Sequence, residues 1–173
     1  MYQTQSQEYR VDVEVDVQRV LQNLFYTWDQ QCLKKLLPDW IDMAEPSKFH
    51  QYPYRDYRKK ATPSENLYAR PEWWPVRARH CNPSDYRYTH VERVYVAEAL
   101  FRLRGRGSTW IPRLECSSYR TIRAIAGVQD ASHPIWGTWM EIHRIIGVEE
   151  QFYQDNPQYT GKLHTLVLCY PPS

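Results

Sequence analysis

Between residues 38 and 83 the chain carries seven prolines, at positions 38, 46, 53, 63, 71, 75 and 83. Each ring fixes its own φ, removes a backbone donor and biases the preceding residue away from helix. No long helix or central strand fits across such a stretch. The spacing predicts an irregular excursion over residues 38–88, with one short helix around Ser64–Ala69. A loop of this length inside a domain is commonly functional. Its aromatics, among them Tyr54, Tyr57, Tyr68, Trp73 and Trp74, set it apart from a disordered linker, which is poor in such rings. The expectation is a segment packed on the domain body or on a partner.

Upstream of the prolines the pattern is helical. Val17, Val20, Leu21, Leu24, Phe25 and Trp28 recur at helical spacing and form one apolar stripe. Asp16 is placed to cap its start, where a carboxylate meets unpaired backbone N–H groups. Cys32, Leu33, Leu36 and Leu37 suggest a second short helix, halted by Pro38.

Downstream, from Thr89, the pattern reads as strands. Tyr95, Ala97, Ala99, Phe101 and Leu103 alternate with Val94, Val96, Glu98, Leu100 and Arg102, although Ala, Glu, Leu and Arg also favour helix. Trp110, Leu114 and Cys116 alternate with Arg113 and Glu115, and further strand-like runs follow at 122–128, 139–148 and 163–170. The connections between them are too short for crossover helices. The fold class expected is therefore α+β. An N-terminal amphipathic helix or helix pair would pack on a mostly antiparallel, curved sheet of about four or five strands. Residues 1–173 are expected to form one domain, with 38–88 as a long insertion within it.

The segment VQRVLQNLFYTWDQQCLKKLLPDW, residues 17–40, resembles in rhythm the opening helices of the NTF2-like group. A helix pair followed by a curved sheet is the arrangement of NTF2-like and cystatin-like cone-shaped folds. The resemblance implies a pocket, which Trp28, Trp139 and Tyr26 would line.

Cys32, Cys81, Cys116 and Cys169 show no paired spacing and read as reduced side chains. Met1–Glu8 is polar rather than signal-like, and no apolar run approaches the length of a membrane span. A cytoplasmic protein with no membrane partner is the expectation.

The net charge of +2 conceals an uneven distribution. Residues 48–107 hold 13 basic and 6 acidic side chains, whereas residues 1–47 hold 4 and 8. In the basic block, Tyr57, Arg58, Lys59, Lys60, Trp73, Trp74, Arg77 and Arg79, with Tyr86 and Arg87 beyond them, interleave cations with rings. Phosphates take the charge of such a surface and rings stack on bases. Arg102, Arg104 and Arg106 extend the idea: on a strand they would project from one face about 6.8 Å apart. The same residues also suit a protein interface, or ordinary cation–π packing.

Other chemistry is sparsely signalled. The six histidines and four cysteines have no ligand spacing, so neither a metal nor another cofactor is expected. Glu141 and His143 would share a strand face, where a carboxylate orients an imidazole, although a surface pair is the commoner use. Gly105-Arg106-Gly107-Ser108 lacks the spacing of a phosphate loop. The reading is a non-catalytic domain that binds RNA or single-stranded nucleic acid, or is associated with ribonucleoprotein. A protein-interaction module working through 38–88 is the alternative, and an NTF2-like small-molecule enzyme or binder comes third.

Overall fold

Five helices and one short ladder account for the regular structure in a computed structural model that describes residues 9–10, 14–28, 30–46, 52–54, 70–103, 110–124, 134–156 and 167–168. In chain order these are β1 (Tyr9–Arg10), α1 (Glu14–Tyr26), α2 (Gln30–Ala44), α3 (His90–Phe101), α4 (Trp110–Arg123), α5 (Pro134–Asp155) and β2 (Val167–Leu168). They fall into two compact units, one of residues 1–27 with 134–173 and one of residues 28–133.

In the first unit the stripe read from the sequence is, as far as Phe25, the inward face of α1, with Leu24 half-buried and Trp28 beyond the end of the helix. Val17, Val20, Leu21 and Phe25 are all buried, and α1 packs on α5. From α5, Trp139, Ile142, Ile145 and Phe152 supply the matching apolar face at steps of three to seven residues. Pro134 opens α5, where a missing N–H costs nothing because the first turn has no intrahelical acceptor for it. Antiparallel pairing of Tyr9 with Leu168 and of Arg10 with Val167 closes the unit.

The second unit is built on α2, which packs against both α3 and α4. Cys32, Leu33, Leu36, Leu37, Trp40, Ile41 and Ala44 form its buried face. Helix α2 does not stop at Pro38 but continues to Ala44, a correction to the early halt expected there. Burial on both sides of the ring outweighs the local cost, although Lys34 cannot receive the usual N–H from residue 38. Trp40 sits at the centre, with Phe101 edge-on at 5.2 Å and Trp28 at 6.4 Å between ring centroids. Its Nε1–H donates to Ser118 Oγ at 3.0 Å, and that hydroxyl donates to the Leu114 carbonyl at 2.6 Å. Trp110 Nε1–H donates to the Leu100 carbonyl at 2.7 Å, so α4 is joined to α3 as well as to α2.

The curved antiparallel sheet is therefore corrected: residues 90–101, 110–123 and 134–155 are helices. In α3, Thr89 caps the start, its hydroxyl accepting from the Glu92 backbone N–H. In α4, Trp110, Leu114, Ser118 and Ile122 are buried at intervals of four, a helical spacing that outweighs the local alternation of large and small residues. The likeness to NTF2-like and cystatin-like folds falls with the sheet, and so does the cone-shaped pocket. Tyr26 is exposed, while Trp28 and Trp139 are buried in different units.

Candidate functional site

The basic block resolves into parts with different uses. From Arg70 to Thr89 the backbone runs through successive turns that are tightly braced. Arg93, 2 % exposed on α3, donates from Nε to the Pro83 carbonyl at 2.8 Å and from Nη2 to the Asp85 carbonyl at 2.9 Å. Arg79 grips Glu92 through Nε and Nη2, at 2.7 and 3.1 Å, and donates to the Arg87 carbonyl at 2.8 Å. The Arg87 guanidinium meets both oxygens of Asp85, at 3.1 and 3.0 Å. Those bonds, reinforced by the Arg87 backbone N–H and by the charge of Lys34, hold the Asp85 carboxyl down at about 2.

The rings of this stretch are largely packed as well. Trp74 is buried, donates to the Ala78 carbonyl at 3.2 Å and meets His80 edge-on at 4.7 Å. Trp73 lies 5.4 Å from Trp74 and donates to Glu45 Oε1 at 3.0 Å. Tyr54 packs at 5.4 Å from His80; burial, with the nearby charge of Asp42, pushes its phenol well above the ordinary tyrosine value.

Of the other basic candidates, Arg77 is exposed. Arg102 lies just past the end of α3 and pairs with Glu98 at 3.5 Å, so it belongs to no strand stripe. Tyr57, Arg58, Lys59, Lys60, Arg104 and Arg106 lie outside the described residues. Glu141 and His143 sit on helix α5, where positions two apart point to different sides. Glu141 bonds to Arg144, and His143 meets the Trp139 ring at 5.5 Å.

A second concentration of positive charge is assembled by the fold. Helices α2 and α4 leave between them an open groove of about 680 Å³. Gln31, Lys34, Lys35 and Pro38 form one wall, and Arg120, Thr121 and Ala124 the other. Ser84, from the braced turns, completes the lining. Three cations and no carboxylate stand among these described residues. Asp39 borders the groove, its Oδ2 accepting from Thr121 at 3.3 Å. Among the described residues neither Lys34, Lys35 nor Arg120 forms a salt bridge, although Lys34 lies close enough to Asp85 for its charge to act there. The Ser84 hydroxyl and the Gln31 amide add hydrogen-bonding capacity, whereas the Thr121 proton is given to Asp39, so the lining suits an anion held chiefly by charge.

Sequence reasoning did not find this groove. Lys34 and Lys35 lie in the acidic first third, and Arg120 is 85 positions further along the chain. Only the packing of α2 on α4 brings them together.

The model of the YDR124W-like, helical bundle domain family matches residues 5–165. The chain belongs to this family. Membership accords with the helices found from α1 to α5 and with the absence of an extended sheet among the described residues. No curated protein and no solved structure matches this YDR124W-like domain. Among its described residues no helix is long and apolar enough to cross a membrane, and no group of His, Cys, Asp and Glu has the geometry of a metal site.

Proposed function

We propose that this YDR124W-like domain is a non-catalytic binding module for nucleic acid, and that it contacts the phosphate backbone through the groove between α2 and α4. The observation that carries the reading is the lining itself: Lys34, Lys35 and Arg120 converge from two helices, and no carboxylate stands among the described lining residues. Phosphodiesters are the polymeric anions best matched to an open row of ammonium and guanidinium groups flanked by neutral donors. An open groove also accepts a polymer that enters and leaves at its ends. The cytoplasm is the compartment proposed, since Cys116 is an exposed free thiol, a state kept in a reducing environment.

Fluorescence anisotropy of the purified chain with labelled RNA and DNA, across a salt series, tests the proposal. Binding should weaken steeply with salt, and Lys34→Glu with Lys35→Glu and Arg120→Glu should abolish it at moderate ionic strength. Binding by the triple variant equal to that of the native chain would overturn the groove as the site.

A protein-interaction module is the second reading. It draws on Val76 and Tyr86, each 83 % exposed within the braced turns. Large side chains held in solvent on a rigid loop suit a protein partner. Such an interface would respond little to salt, which separates the two readings.

A further inference from the structure

Building on the proposed binding of phosphates in the groove, we infer that Tyr86 is a base-stacking residue and that the ligand is therefore single-stranded nucleic acid. Among the described aromatics of 38–88, Tyr52, Tyr54 and Trp73 are half-buried and Trp74 and Tyr88 are buried. Tyr86 alone stands out in solvent. Chain length ties it to the groove: Ser84 is part of the lining, and two residues of backbone reach at most about 7 Å.

The turn that displays this ring is held from several sides. Asn82 Oδ1 accepts from the Ser84 N–H at 2.9 Å, and Asp85 Oδ1 accepts from the Arg87 N–H at 2.9 Å. Beneath it the buried Arg93 holds the carbonyls of Pro83 and Asp85, while Tyr88 donates to the Arg79 carbonyl at 3.0 Å. Tyr86 is thus an exposed ring on an ordered backbone, whose ordering entropy is lost on folding rather than on binding.

The ring also has a backing. The Arg87 guanidinium lies over it at 5.5 Å from the centroid, and Asp85 fixes that guanidinium through two bonds. With one face backed by Arg87, the other is open to a flat ligand. An unpaired base offers such a surface, whereas bases inside a duplex are already stacked on their neighbours. Cations in the groove beside an exposed ring are the combination that binds single strands without reading their sequence. An acidic peptide would satisfy the groove but leave the ring without a flat ligand.

The test compares four labelled probes on the full chain: an unpaired oligonucleotide, the same sequence as a duplex, an abasic strand of equal length, and poly-glutamate. The native chain should bind the unpaired strand most tightly. Tyr86→Ala should weaken that complex about tenfold. The same change should leave the abasic strand and the salt slope unaltered, since no phosphate contact is removed. Tyr86→Trp should restore binding, and circular dichroism confirms that each variant folds. Equal affinity of Tyr86→Ala and the native chain for the unpaired strand would overturn the stacking role alone, provided the groove variants still lose binding. Poly-glutamate binding as tightly as the oligonucleotide would overturn it too, in favour of an acidic protein segment. No binding of either nucleic acid at low salt would bring down the groove reading and this inference together.

Discussion

Two regions of the second unit are rich in cations, and they spend them differently. In the turns from 79 to 93, the exposed Arg79 and Arg87 and the buried Arg93 are all engaged by Glu92, Asp85 or backbone carbonyls. In the groove, Lys34, Lys35 and Arg120 meet no carboxylate among the described lining residues. Each region holds three of these cations, yet less of the first region's charge is left to meet a ligand. Guanidinium groups carry fixed, forked donors that satisfy several carbonyls at once, which makes them suitable braces. A count of basic residues along a chain therefore overstates surface potential wherever arginines follow turns.

The largest effect that sharpens this contrast is on the bracing side. Arg93→Ala should cost about 3 kcal/mol, because the Pro83 and Asp85 carbonyls lose a charged donor. For a chain of this size the melting temperature should fall by roughly 6–12 °C. A fall of under a degree would mean that the turns stand without their buried arginine. Next comes Thr89→Ala, which removes the cap of α3 and should cost about 1 kcal/mol. Urea melts should show it as a lower midpoint with an unchanged slope.

Acid probes the same brace more gently. The Asp85 carboxyl is held down at about 2, so its contribution is fully present above its ordinary value of 3.8 and is lost as pH falls through about 2. Carbon-detected NMR titration should place its midpoint near the lower figure, and Arg87→Ala should move it back up. A midpoint at the ordinary value in the native chain would show that the Asp85–Arg87 contact does not persist in solution. The smallest expected effect is on the other region. Each of Lys34→Glu, Lys35→Glu and Arg120→Glu should change stability by no more than about 0.5 kcal/mol. A larger loss, read by thermal melting, would make these cations structural and erase the contrast.

How much of this was legible differs from helix to helix. The stripe from Val17 to Phe25 is unambiguous because five apolar residues repeat at one period and no other period fits them. Residues 90–101 satisfied both templates, since Val, Tyr and Ala fill alternate and helical positions alike. The deciding signal was local: Thr89 followed three residues on by Glu92 is the signature of a helix start. In α4, three alternating residues masked the interval of four that runs from Trp110 to Ile122, because Ser118 does not look like a core residue. Its hydroxyl is buried only because the Trp40 indole and the Leu114 carbonyl satisfy it. That partnership, and the groove beside it, depend on contacts between distant residues that no local pattern encodes.

The bond between Trp40 and Ser118 has a kinetic consequence. It fixes α2 to α4 inside the core, one position along α2 from the exposed bond between Asp39 and Thr121. Within the described residues these two bonds hold the walls of the groove at a set width. If the groove takes a charged polymer as proposed, encounter should proceed without a gating step, at a rate governed by ionic strength and diffusion rather than by an opening of these two helices.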